Sequence, residues 1–151
     1  MGADSSYFQN LQSLELLDLC GAHISAQDFA TLPRLERLQC MLFDGHEVTD
    51  QHILHVAQLQ LPSLRQMTLY DTSVSDSAFI ELCSNYNLTH LTLFDSRRIT
   101  GKSVEALGRM TELRELEVTY SGLSPRGGVT PDVQQLKNML PEVIALPWKP
   151  R

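Results

Sequence analysis

A chain of 151 residues, 42% apolar and 20% charged, is long enough for one domain with a substantial buried core. Its net charge of −6 and pI near 5.2 argue against a nucleic-acid or anionic-membrane partner. Nothing approaches the ~18 consecutive apolar residues of a membrane span, and the first residues lack the basic and apolar regions of a signal peptide.

The opening Met1-Gly2-Ala3-Asp4-Ser5-Ser6 fits the loose N-myristoylation pattern, without a basic patch to reinforce a single acyl chain. Tyr7, Phe8 and Leu11 read as the tail of a helix, so residues 1–13 are expected to be a cap or a partial N-terminal repeat. Strand patterns then recur: Leu14-Leu17-Leu19, Leu38-Cys40-Leu42, Leu64-Met67-Leu69, Leu88-Leu91-Leu93 and Leu113-Leu116-Val118. Taking the starts as Leu14, Leu35, Leu64, Leu88 and Leu113, the spacing is 21, 29, 24 and 25 residues. After each of the first four strands comes a branched apolar residue and a hydroxyl: Ile24-Ser25, Val48-Thr49, Val74-Ser75 and Ile99-Thr100. The hydroxyl suits an N-cap, because its oxygen accepts from unpaired N–H groups of the first helical turn. Asp50 and Asp76 follow where negative charge favours a helix start.

The predicted helices bury one stripe of a 3.6-residue period. It runs through Phe29 and Leu32, Ile53 and Val56, Phe79 and Leu82, and Val104 and Leu107. The last helix starts with Thr130 as cap and Pro131 at its first position, and buries Val133, Leu136 and Leu140. Pro33, Pro62 and Pro141 end helices and lead into strands. A strand near residues 143–146, then Pro147, Trp148 and Pro150, completes an expected C-terminal cap over 140–151. Cys20, Cys40 and Cys83 cannot form a closed disulfide set and read as buried free thiols of a reducing compartment, hence a cytoplasmic protein.

A period in the twenties with the LxxLxL pattern is the mark of a leucine-rich repeat. The expected fold is α/β: a right-handed horseshoe-shaped solenoid with a parallel β-sheet on its concave face and helices on its convex face. Five repeats fill 14–139, in a single domain over 1–151. The chain resembles the ribonuclease-inhibitor-like class, closest to the cysteine-containing repeats of F-box proteins; Val48-Thr49-Asp50 and Val74-Ser75-Asp76 match the step after the strand in that subtype. Asp is replaced by Ala26 and Gly101 in repeats one and four, only Cys20 lies near the subtype's cysteine position, and no F-box is visible. Val133, Leu136, Leu140 and Pro141 are similar to the closing segment of bacterial, planctomycete-type repeat proteins. The resemblance implies a protein-interaction module and carries no catalytic residue or cofactor.

On the outward face, residues at the same repeat position should form columns. Aligning Met41-Leu42-Phe43-Asp44 with Thr68-Leu69-Tyr70-Asp71 and Thr92-Leu93-Phe94-Asp95 gives an aromatic column through Phe43, Tyr70 and Phe94. Beside it run Asp44, Asp71, Asp95 and Tyr120, with Met41 and Glu117 in an inner column. Exposed aromatics mark docking surfaces, and the acidic column suits Lys or Arg. The expected partner is therefore another protein that presents a basic, extended segment. The plainer reading is that the rings stack to stabilise the ladder and the aspartates close Asx-turns.

Asp44, His46, Asp50, His52 and His55 crowd within twelve residues, but they divide between a loop and a helix, and His46-Glu47 is not followed by HExxH spacing. They are expected on a solvated helix surface. Pro125-Arg126-Gly127-Gly128 is a turn without P-loop features, no nucleophile elbow occurs, and Asn87-Leu88-Thr89 is a chance sequon at a strand start. These absences favour a non-catalytic module without metal or cofactor, such as a recognition arm or adaptor. The alternatives are a structural segment of a larger solenoid that associates weakly through its N-terminal edge, and a metal-dependent protein using the histidines. Repeat two, with a loop over 44–47 read as long, is expected to be the least protected.

Overall fold

The computed structural model describes residues 11–126 and 128–145. The myristoylation-like start, Tyr7, Phe8, Trp148 and its flanking prolines lie outside these residues. Strands β1 (Leu16–Asp18), β2 (Cys40–Asp44), β3 (Gln66–Tyr70), β4 (His90–Phe94), β5 (Glu115–Glu117) and β6 (Ile144–Ala145) form one sheet in that order. Every neighbouring pair is parallel. Parallel neighbours need a crossover between them. Helices α1 (Ala26–Phe29), α2 (Asp50–Gln58), α3 (Asp76–Asn85), α4 (Val104–Gly108) and α5 (Pro131–Met139) provide it. The result is a repeat-like α/β fold.

The core lies between the sheet and the helices. Strand residues Met41, Phe43, Met67, Leu69, Leu91, Leu93 and Leu116 are buried against the expected helix stripe, of which Leu32 alone is only partly covered. Ser25 and Thr130 cap α1 and α5 with their hydroxyls as expected, accepting from Asp28 and Val133 N–H. Strands β2 to β5 each enter through a shared carbonyl. Glu15 O accepts from Gln39 and Cys40 N–H, and the same pair of bonds recurs at Gln39, Arg65 and Thr89. This joins adjacent repeats just before pairing begins.

The sequence alignment of repeat two is off by one residue. Leu38 closes a tight turn onto Leu35 O at 3.2 Å, as Leu64 does onto Leu61 at 3.1 Å and Leu113 onto Met110 at 3.0 Å. Leu35 is therefore a turn residue, and repeat two reads Leu38-Met41-Phe43. Met41 pairs with Met67 and Phe43 with Leu69. Because side chains alternate along a strand, this one-residue slip turns Met41 and Phe43 into the core and Cys40, Leu42 and Asp44 outward. Phe43 packs against Phe29, ring centroids 5.7 Å apart. Repeat two also has no long loop: Gly45 to its cap Thr49 matches Asp71 to Ser75, whereas Asp95 to Thr100 is one residue longer.

The aspartates after the caps have a role beyond their own helix. Asp50 accepts from the Ser75 N–H (2.6 Å) and hydroxyl (2.7 Å) of the next repeat. Asp76 likewise accepts from the Thr100 N–H (2.8 Å) and hydroxyl (2.7 Å), and from the Ser103 hydroxyl (2.5 Å). Where repeat one has Ala26, His52 reaches back instead. Its Nδ1 accepts from Thr49 N–H at 3.2 Å, so Nε2 carries the proton and donates to Ile24 O at 2.9 Å. His52 is thus buried, contrary to the expected solvated helix surface. In repeat four, Gly101 leaves room for the Asp132 carboxylate, 2.7 Å from where a β-carbon would sit.

Candidate functional site

One sheet face packs on the helices; the other is open. Strand register fixes three columns on the open face. The first is Leu16, Cys40, Gln66, His90 and Glu115; the second is Asp18, Leu42, Thr68, Thr92 and Glu117. The third contains Asp44, Tyr70 and Phe94. Tyr70 is 43% exposed. Its ring lies flat on Phe94, with centroids 4.7 Å apart and planes 3° apart. Tyr120 closes the far side of Phe94 edge-on, at 5.6 Å and 79°. The stacking distance matches the ~4.8 Å between strands, so the ladder itself holds the rings together.

A residue at positive φ turns the corner directly after β2, β3 and β4, at Gly45 (112°), Asp71 (51°) and Asp95 (49°), and three residues past β1 and β5, at Gly21 (71°) and Tyr120 (54°). Its N–H continues the ladder, as Gly45 donates to Tyr70 O, Asp71 to Phe94 O and Asp95 to Thr119 O. Asp is among the few residues that tolerate this region, which accounts for Asp71 and Asp95 there. Neither side chain closes the expected Asx-turn. Asp71 instead faces His46 Nε2 at 3.3 Å, and Asp95 accepts from Arg97 Nε at 2.6 Å. The hydrogen bond and charge of Asp95 push the Arg97 guanidinium above its ordinary value.

The expected stripe is therefore rearranged. Tyr70, Phe94 and Tyr120 come together; Asp44 stands beside Tyr70 and not in line with Asp71 and Asp95; Glu117 ends the second column. Met41 and Phe43 leave the face for the core. Arg97 and Arg98, which sequence reasoning left aside, and His46, weighed there only as a metal ligand, form a rim with Asp71 and Asp95 around a cavity of about 380 Å³. The i, i+2 spacing of Asp95 and Arg97 was the available signal.

Cys20 is exposed and Cys40 half-buried on the open side, which corrects the expectation that both are buried. Asp18 Oδ1 accepts from Cys20 N–H at 2.9 Å, which holds this carboxyl below its usual range. Its hydrogen bond to the thiol pushes Cys20 up to about 11, so the thiol stays protonated near neutrality and is a weak nucleophile. The histidine cluster is dispersed: Asp50 is taken by Ser75, His52 is buried, and His46 faces Asp71. Among the described residues no group of three or more His, Cys, Asp or Glu is placed to hold a metal, and no helix is long and apolar enough to cross a membrane.

Set against known proteins, the chain matches no protein-family model and no curated relative.

Proposed function

We propose that the chain is a leucine-rich repeat solenoid whose open sheet face is the concave side of a horseshoe, and that it acts as a non-catalytic protein-binding module. Its partner presents a basic, extended segment. The observation that carries this reading is the exposed Tyr70 ring held rigidly on Phe94. An aromatic already fixed in place loses little freedom on binding and makes a good anchor. Asp18, Asp44, Glu115 and Glu117 on the same face supply the complementary charge. The unpaired cysteines fit a reducing, intracellular compartment.

The test is selection of a displayed random-peptide library on the wild-type chain, with counter-selection on a Tyr70→Ala, Phe94→Ala variant of matching circular dichroism. Enrichment of Lys- and Arg-rich peptides held only by the wild type is expected. Recovery of the same peptides by both proteins, or of acidic peptides, overturns the reading. A second reading, a structural segment that self-associates through its N-terminal edge, is favoured by Leu16, 53% exposed on the edge strand β1. Concentration-dependent sedimentation would support it.

A further inference from the structure

The aromatic column is closed at one end and open at the other. Tyr120 covers the outer side of Phe94, and Phe94 covers one face of Tyr70. The second face of Tyr70 looks toward repeat two. There the register partner is Asp44, a short carboxylate where an aromatic would have continued the stack. Asp71, next along the chain, faces His46. This leaves Asp44 as the carboxylate beside the uncovered ring face.

A planar cation fits this step. It can lie on the ring at about the ladder spacing, as Phe94 does on the opposite side, and direct N–H groups at Asp44. Guanidinium is flat, weakly hydrated and able to donate to both carboxylate oxygens, whereas ammonium is a compact, strongly hydrated point charge. We propose that the step between Asp44 and Tyr70 is a slot for an arginine side chain of the partner segment. This rests on the reading of the open sheet face as a protein-binding surface and names the residue type that the face selects.

The experiment is a two-dimensional NMR titration of the full chain with arginine amide, lysine amide and citrulline amide, following the Tyr70 ring and the Asp44 amide. Arginine amide should shift both signals saturably, about three- to fivefold more tightly than lysine amide, and citrulline amide should leave them in place. Tyr70→Leu should abolish the arginine response at the Asp44 amide and Asp44→Asn should weaken that of the Tyr70 ring severalfold, each with the α5 and β5 amide signals unchanged as a control on folding. Equal responses to lysine and arginine refute the slot. So do shifts confined to Asp71 and Asp95 that survive Tyr70→Leu. Either result can coexist with wild-type-only capture of basic peptides from the library, which would leave the binding-face reading intact. A retained arginine response with no peptide selection would reject that reading while supporting the slot.

Discussion

Asp71 illustrates how one residue can look like recognition chemistry and serve the backbone. Its φ of 51° places it where Asn and Asp are tolerated and β-branched residues are strained. Its partner His46 is largely exposed, so the pair adds little to stability. Asp71→Asn should leave the urea midpoint nearly unchanged, while Asp71→Val should destabilise the chain by about 1–2 kcal/mol. Equal losses in the two variants would show that the charge, and not the corner, matters. Tyr120 occupies the equivalent corner at 54° although it is bulky; its edge contact with Phe94 accompanies that conformation.

Among the elements, α3 shows how successive repeats are fastened. Burial pushes the Asp76 carboxyl up, but hydrogen bonds from Ser103 and Thr100, aided by Lys102, outweigh it and hold the group below its ordinary value. A carboxyl lowered by folding stabilises the native state above its unfolded pKa, and that stability is lost as pH falls through the folded value. Asp76→Asn should therefore cost about 2 kcal/mol near neutrality and flatten the loss of stability below about pH 4. An unchanged acid limb in denaturant titrations would refute this. The helix starts and buried stripes were legible in the sequence, because Ser25, Thr49, Ser75, Thr100 and Thr130 precede clear 3.6-residue patterns, although the Ser75 hydroxyl accepts from no N–H of its own helix and donates to Asp50 instead. The bonds from one repeat's Asp to the next repeat's cap were not. Periodicity within a helix says nothing about partners 24 or 25 residues away.

At the scale of the molecule, the fold class was legible because a strand-helix alternation at a period in the twenties leaves few architectures. The candidate face was legible only in part. Leu35 and Leu38 compete as the first leucine of repeat two; the apolar pattern alone does not separate them, but the more even spacing from Leu38, 24 and 26 residues to its neighbours against 21 and 29 from Leu35, and the turn onto Leu35 O do. That one ambiguity decided whether Phe43 was a surface or a core residue. It also shifts the expected weak point away from repeat two. Repeat one has a three-residue edge strand and a four-residue helix; Leu14 is only partly buried, as are Leu17, Ile24 and Leu32, which line an apolar cavity of about 330 Å³. Amides of β1 and α1 should exchange fastest, and those of β3 and β4 slowest. Equal protection in β1 and β3 would sink this expectation.

The strictly sequential strand order carries a mechanical consequence. Each strand bonds only to the strand before it and the strand after it, and the helices touch in the same succession. Tension applied to the two ends of the described chain therefore bears on the outermost strand first. It loads few hydrogen bonds at a time and does not shear the whole sheet at once. Such a molecule yields in small successive lengths, like tape lifted from a roll, and the last part to release is the central pair β3 and β4, which carries the Tyr70–Phe94 stack.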